Sequence, residues 1–288
     1  MDKIQILLEA LPYIKEYSGK TVVVKIGGKM MEEDSLLQNV LDNIILMKYI
    51  GIKVVLVHGG GQQITEMMKK KNLKIEFVDG LRITTKETVD IVKKVLVEKI
   101  NKKIVSLLNQ REKIAVGISG DEAGFIECRK KYGEKNGQKI DLGFVGKIVK
   151  INSRVIENIL AKKYLPVIAT LGTDNKGNIY NINADDCASE IAVFLKTARI
   201  IFLTDVDGVF KKTKNKDKAK IISKLTAKEC LAMIKRGEIN SGMFPKTTAC
   251  LNSLKRGVRK AHILNGTKKD SILMEVFTDK GVGTMITL

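Results

Sequence analysis

Short runs of β-favouring residues alternate along the chain with longer stretches whose apolar positions recur at helical spacing. Thr21 to Ile26 reads as a strand, Ser35 to Ile50 as a helix, Lys53 to Val57 as a strand and Gln62 to Lys71 as a helix. Thr84 followed by Glu87 is a capping-box pattern that opens a long amphipathic helix to about Asn109, and Ile114 to Ile118 is the next strand. From Phe125 to Ile151, alternating apolar and polar residues around Gly133, Gly137, Gly143 and Gly146 predict an antiparallel excursion or hairpin. The strand-helix rhythm then resumes with helix Ser153 to Lys162, strand Pro166 to Thr170, helix Ala184 to Lys196 and strand Arg199 to Leu203. Helices Ala227 to Lys235 and Thr247 to Arg256, with strands Ala261 to Leu264 and Thr284 to Thr287, complete the pattern. Ahead of it all, residues 1–20 read as a separate short helix with Ile4, Leu7, Leu8 and Leu11 on one face and Pro12 interrupting it.

Such alternation predicts an α/β protein in which helices cover both faces of a mostly parallel open sheet, with ligands at the carboxyl ends of the strands. A boundary near Asn183 separates an expected substrate lobe, residues 21–183, from an expected nucleotide lobe, residues 184–288.

Composition narrows the class. The 288 residues are 44% hydrophobic and 29% charged, ordinary globular values that exclude wholesale disorder. The formal charge of +19 comes largely from lysines spread along helices, among them Lys69, Lys70, Lys71, Lys93, Lys94, Lys99, Lys102 and Lys103. A solvated basic surface is the reading, because the chain has no Trp, only 5% aromatic residues, no RNA-binding aromatic strand motif and no zinc-finger spacing. Cys128, Cys187, Cys230 and Cys250 lie far apart without a CxxC or Cys/His pair, which predicts buried or free thiols in a reducing compartment and no metal site. No secretory h-region opens the chain and no run of about 18 apolar residues follows, so a soluble, cytoplasmic protein is expected. The charged segment Lys211 to Lys220 reads as a mobile surface loop.

Chemistry concentrates at the glycines. Thr21 to Gly28, TVVVKIGG, sets Lys25 at the end of a buried strand beside Gly27 and Gly28, whose bare amides suit phosphoryl oxygens. His58-Gly59-Gly60-Gly61 follows a second strand and opens a helix, an anion site built from amides and helix dipole. Neither turn is a dinucleotide fingerprint or a P-loop: Ile64 stands where GxGxxG requires its last glycine, and GxxxxGK[ST] is absent. Arg82, in Gly80-Leu81-Arg82-Ile83-Thr84, precedes a helix and suits a carboxylate. Asn181-Ile182-Asn183-Ala184-Asp185 opens another helix, where Asn183 or Asp185 is a candidate cap. Gly242-Met243-Phe244-Pro245-Lys246 places a lysine against a helix dipole, and Asp205 and Gly208 end a buried strand as a nucleotide loop would.

In this order KxGG, HGGG, GLRxT, NxNAD, LTDVxGV and GMxxK resemble the amino acid kinase superfamily, and within it the acetylglutamate kinases of arginine biosynthesis. The likeness runs from Thr21 to the end of the chain, and GLRxT with NxNAD is its specific part. It implies a three-layer αβα sandwich in two lobes, one for acetylglutamate and one for ATP, and transfer of the γ-phosphoryl group of ATP to the γ-carboxylate of N-acetyl-L-glutamate. Lys25 and Lys246 are then the cations facing the transferring phosphoryl group, and Asp185 the acid that holds them. Gly60, Gly61, Arg82 and Asn181 would bind N-acetylglutamate, Gly27 and Gly28 the phosphates, and Mg2+ would ride on the ATP phosphates. The helix over Ile4 to Tyr17 resembles the one that links dimers into a ring-shaped hexamer, a trimer of dimers, in the arginine-inhibited subgroup. His262, Glu275 and Gly281 resemble that subgroup's arginine site. Docking of a signalling protein leaves no motif to read. Alternatives are another carboxylate or carbamate kinase of this fold, such as one acting on N-acetylaminoadipate, or a non-catalytic basic nucleic-acid-binding protein on the same scaffold. Intact Lys25, Asp185 and Lys246 count against the last.

Overall fold

The computed structural model describes residues 3–110, 112–135, 137–211, 220–239, 242–278 and 281–288. Two compact units emerge, Met1–Val55 with Ala192–Leu288, and Leu56–Ile191. The boundary expected near Asn183 falls inside the second unit, and residues 21–55 group with the carboxyl-terminal segment. The grouping follows from parallel pairing of β1 (Thr21–Ile26) with β11 (Arg199–Thr204).

In the first unit the strand order is β14 (Lys224–Thr226), β16 (Thr284–Thr287), β15 (Lys260–Asn265), β11 and β1. Only β15 and β16 run antiparallel within that order. Val22, Val23, Val24, Ile200, Ile201 and Phe202 are all buried, which is why these strands read as continuous apolar runs. Helices α8 (Ala227–Lys235), α9 (Phe244–Lys255) and α10 (Ser271–Phe277) pack against them. A capping box, Thr226 with Glu229, starts α8. Helix α9 begins at Phe244, earlier than the expected Thr247, because Pro245 takes a first-turn position where its missing amide costs nothing. Helix α1 (Lys3–Tyr17) runs through Pro12, where an interruption was expected. Proline there forfeits one amide donor, and buried Tyr17 anchors the following turn. Apart from Lys211 and Lys220, which pair between the two-residue strands β12 (Phe210–Lys211) and β13 (Lys220–Ile221), the expected lysine-rich loop lies outside the described residues.

In the second unit β2 (Lys53–His58), counted from Leu56, pairs in parallel with β8 (Leu165–Ala169), which pairs in parallel with β5 (Ala115–Ser119). The expected hairpin is β6 (Ile126–Lys135) with β7 (Gln138–Ile151). It closes on itself through β9 (Leu171–Thr173) and β10 (Ile179–Asn181), which the sequence pattern does not reveal. Helix α3 (Gly61–Lys70) follows β2, and α6 (Ser153–Ala161) and α7 (Ala184–Phe194) follow later strands. The short pair β3 (Phe77–Val78) and β4 (Leu81–Arg82) leads to α4 (Lys86–Lys93). A π-helical stretch, Lys94–Asn101, joins α4 to α5 (Lys102–Leu108).

The α4 cap is Thr85, whose hydroxyl accepts from the Thr88 amide at 3.2 Å, and not the expected Thr84. Thr84 is buried and already committed to the sheet: its amide donates to Leu142, and its carbonyl accepts from Phe144. Gly143 lies so close, at φ 71°, that a Cβ there would sit 2.3 Å from the Thr84 carbonyl oxygen. No helix among the described residues is long and apolar enough to cross a membrane. All four cysteines are buried and outside any disulfide, and burial pushes Cys128 up to about 12 and Cys230 up to about 11.

Candidate active site

The second unit assembles the residues expected to bind the acidic substrate around the turn after β2. Gly59, Gly60 and Gly61 lead directly into α3, so the first amides of that helix face outward from a glycine turn. A Cβ on Gly60 would sit 2.5 Å from Ile100 Cδ1 and 2.8 Å from Leu96 Cδ2, so a side chain there would have to displace both of those buried residues. The Gly60 φ of 178° is ordinary extended backbone, so close packing against the π-helical stretch, and no strain, favours the glycine. Arg82 is 6% exposed, with Nη2 donating to the Gly61 carbonyl at 2.8 Å and to Thr65 Oγ1 at 2.7 Å. Phe77 stacks on the guanidinium with 4.7 Å from Cζ to the ring centroid. Burial lowers the Arg82 pKa, and among the described residues no carboxylate pairs with it. A buried cation with only neutral partners favours an anionic ligand.

Asn181 joins the same cluster: its Nδ2 donates to Thr84 Oγ1 at 3.3 Å, and that hydroxyl donates to the Arg82 carbonyl at 2.9 Å. Just beyond, Asn183 Oδ1 accepts from the amides of Asp185 and Asp186 at 2.9 and 3.0 Å, which makes Asn183 the α7 cap. Asp185 is buried in the first turn of α7. A Cβ on Gly59 would lie 3.4 Å from Ala184 Cβ, so the amino-terminal ends of α3 and α7 meet at this turn. Two helix dipoles with their positive ends together, beside Arg82, define a site for negative charge. Asp186, one residue on, is anchored to β6 through Lys131 at 2.7 Å.

The first unit carries the remaining candidates. Lys25 closes β1 at 7% exposure, and its Nζ lies 3.0 Å from where a Gly27 Cβ would be. Gly28 takes φ 61°, a left-handed conformation, and starts the 3-10 turn Gly28–Met31. Met30 of that turn and Leu203 of β11 pack on Gly266 after β15, so the carboxyl ends of β1, β11 and β15 share one layer. Lys246 stands half-buried in the first turn of α9. Gly208, at φ 143°, fits only without a side chain, since Thr284 Oγ1 lies 2.5 Å from its would-be Cβ. Asp205 is exposed and accepts the Thr204 hydroxyl at 3.2 Å. The more connected acid is Asp207, which is not among the expected site residues: it accepts from Asn265 Nδ2 and Lys268 Nζ, both at 2.8 Å. The Lys268 bond, followed by that from Asn265, holds the Asp207 carboxyl below its usual range.

His262, Glu275 and Gly281 also meet in the first unit. His262 Nδ1 donates to Glu275 Oε1 at 2.8 Å, and Glu275 Oε2 accepts from the Val282 and Gly283 amides at 2.9 and 3.4 Å. Gly281 packs on the same carboxylate, 3.3 Å from Oε2 to its would-be Cβ. Burial opposes the charged form of Glu275, but His262 and the two amides outweigh it and hold the carboxyl below its usual pKa. Burial also lowers the His262 pKa, against the Glu275 hydrogen bond. Tyr17 Oη, Arg199 Nε and His262 Nε2 are buried and make no hydrogen bond among the described residues. The Arg199 guanidinium lies 4.1 Å over the Tyr17 ring.

Residues 20–265 match the amino acid kinase family, and the chain belongs to that family. It is 47% identical to the acetylglutamate kinase of Caldicellulosiruptor bescii over 288 residues, covering 100% of this chain and 97% of the relative. The acetylglutamate kinase of Pelotomaculum thermopropionicum is likewise 47% identical, with 99% of this chain and 98% of the relative covered. Among solved structures, N-acetylglutamate synthase from Neisseria gonorrhoeae complexed with coenzyme A and N-acetyl-glutamate superposes with a TM-score of 0.87 at 23% identity. All of this chain is covered, and it spans 64% of that synthase's length. The same synthase complexed with coenzyme A and L-arginine gives a TM-score of 0.82 at 24% identity, covering 100% of this chain and 66% of the synthase. At these identities the two superpositions establish the fold alone.

Proposed function

We propose that the protein is an ATP-dependent acetylglutamate kinase, which converts N-acetyl-L-glutamate and ATP into the γ-acyl phosphate and ADP. The observation that carries this reading is the buried Arg82, hydrogen-bonded to Gly61 and linked through Thr84 to Asn181, with no acidic partner among the described residues. Full-length identity to relatives of that name supports it. We assign the acidic substrate to the second unit, with Arg82 on its α-carboxylate and Gly60, Gly61 and Asn181 around it. ATP belongs to the first unit, with Gly27, Gly28 and Gly208 near its phosphates and Asp205 at the nucleotide loop.

The chemistry needs no general base, because a γ-carboxylate is already ionised near pH 7. One carboxylate oxygen forms a bond to the γ-phosphorus as the bond to the β,γ-bridging oxygen of ATP breaks, and ADP leaves with that electron pair. Lys25 and Lys246 oppose the negative charge spread over the phosphoryl oxygens. Among the described residues no group of three or more His, Cys, Asp or Glu side chains is placed to hold a metal ion. We therefore assign Mg2+ to the nucleotide phosphates, where it would offset their charge. We assign the reaction to the cytoplasm, in keeping with four buried cysteines outside any disulfide.

Trapping of the acyl phosphate with hydroxylamine, over a panel of acids, tests the assignment. N-acetyl-L-glutamate is expected to turn over with ATP and free glutamate far more slowly. Equal rates for the two, or preference for carbamate or N-acetylaminoadipate, would remove it.

Regulation belongs to the same proposal. We assign L-arginine to the first unit at His262, Glu275 and Gly281, where the unpartnered Tyr17 Oη and His262 Nε2 are available to a polar ligand. Helix α1, with Leu8 and Leu11 56% and 42% exposed, is assigned to pairing between dimers in a homo-hexamer. Arginine inhibits in this scheme by binding one arrangement of the protein better than another. Removing residues 1–17 is expected to reduce both assembly size, read by light scattering, and arginine sensitivity, while leaving turnover largely intact. Full activity of the complete chain in millimolar arginine would reject the regulatory scheme and spare the kinase assignment.

A further inference from the structure

His58 opens the motif HGGG at the end of β2. Its ring is completely buried. Nδ1 lies 3.1 Å from the Gly59 carbonyl oxygen, which can only accept, so Nδ1 carries the proton. Nε2 is then an acceptor, and Asn101 Nδ2 donates to it at 3.1 Å. The second hydrogen of that amide goes to the Val167 carbonyl of β8 at 2.9 Å. Burial lowers the His58 pKa to about 4, so the ring stays neutral and keeps one donor and one acceptor.

Asn101 is itself fixed from several sides. It ends the π-helical stretch, and its Oδ1 fills the space over Gly117, 2.1 Å from where a Cβ would be. Leu96 and Ile100 of the same stretch are the residues that press on Gly60. The stretch therefore grips the glycine turn twice, through side-chain packing at Gly60 and through Asn101 and His58 at the Gly59 carbonyl. π-Helical windings are uncommon and often lie at functional sites.

We propose that His58 and Asn101 are positioning residues, a buried bracket that sets the turn Gly59–Gly61 and with it the affinity for the acidic substrate. The Gly61 carbonyl also holds Arg82 at 2.8 Å, so displacing the turn displaces the guanidinium with it. The inference rests on the kinase reading for the identity of that substrate, but the bracket itself is a statement about the turn.

The test uses the full-length chain with His58→Phe, which keeps a ring and loses both hydrogen bonds, and His58→Asn, whose amide replaces the Nδ1 donor. Asn101→Leu removes the bracket from its other side. For His58→Phe and Asn101→Leu the KM for N-acetylglutamate is expected to rise roughly tenfold or more, the scale of a misplaced binding group, with the KM for ATP within about twofold. His58→Asn should recover much of the loss, which a merely structural role would not give. Equal shifts in both KM values, an unchanged KM for N-acetylglutamate, or a loss explained wholly by the fraction of folded protein would overturn the bracket. Imidazole 15N spectra of the wild type provide a readout independent of substrate. A neutral Nδ1–H ring from pH 5 to 8 supports the bracket, whereas a ring titrating near its usual value of about 6.5 overturns it. Wild-type protein inactive on N-acetylglutamate would remove the kinase reading, and the spectra would then decide the bracket alone.

Discussion

Lys25→Met and Lys246→Met proteins are expected to lose at least about 100-fold in kcat, the scale set by removing one preorganised donor to a transition state. Methionine retains most of the length of each side chain, so the loss isolates the charge. Lys25 is suited to such a measurement because it is 7% exposed and held beside Gly27, so its position is set before any ligand arrives. Lys246 sits in the first turn of α9, where its charge opposes the helix dipole. That placement disfavours the lysine in the empty protein and is offset when phosphate is bound. KM values should move little, because the interaction matters most as charge spreads over the phosphoryl oxygens. Steady-state kinetics on variants with unchanged thermal midpoints is the measurement. Near-normal kcat in Lys246→Met would exclude the two-lysine scheme.

The second large effect is at Arg82. Truncating one partner of a buried charged contact typically costs about 2 to 5 kcal/mol, or roughly 30-fold to several thousand-fold in binding. Arg82→Ala would also release the Gly61 carbonyl and Thr65 hydroxyl, which now accept from Nη2. Part of its effect is therefore on the first turn of α3. Arg82→Lys is the cleaner variant, since it keeps the charge and loses the planar fork. We expect Arg82→Lys, which keeps the charge, to raise the KM for N-acetylglutamate by about tenfold or more, less than truncation would, with kcat and the KM for ATP little changed. Isothermal titration with N-acetylglutamate checks the binding directly. Unaltered affinity in both variants would move the α-carboxylate elsewhere.

The parallel strands were legible because burial on two faces leaves an apolar run: β1 matches its expected bounds and β11 extends its expected range by one residue. The β6–β7 hairpin was legible for the opposite reason, alternation of exposed and enclosed positions around glycines. Strands β9 and β10 are three residues each and owe their existence to partners rather than to pattern. Thr84 and Thr85 show the limit of capping rules, since both are threonines with acids or hydroxyls nearby, and tertiary pairing to Gly143 decides which one caps. Among the chemistry, glycine turns and Arg82 were visible as motifs. The pairing of His58 with Asn101 was not, because they are 43 residues apart and only the fold makes them neighbours. Asp207 was passed over for Asp205, two residues away on the same loop. Nothing local distinguishes them, and the difference is made by Asn265 at the end of β15 and Lys268 just beyond it.

The way the chain is distributed between its units bears on how the protein is made. Residues 56–191 form one uninterrupted stretch, whereas the other unit draws on both ends of the polypeptide. On a ribosome, where chains emerge amino end first and domains fold as units, the middle section can mature while the ends cannot. Strand β1 leaves early but its partner β11 begins at Arg199, so one side of the strand carrying Lys25 waits for most of the polypeptide. Through that interval one edge of an apolar strand is left unpaired and open to other nascent chains. A truncated translation product ending near residue 191 would therefore hold the section 56–191 behind an amino-terminal arm whose β1 still lacks β11 on one edge.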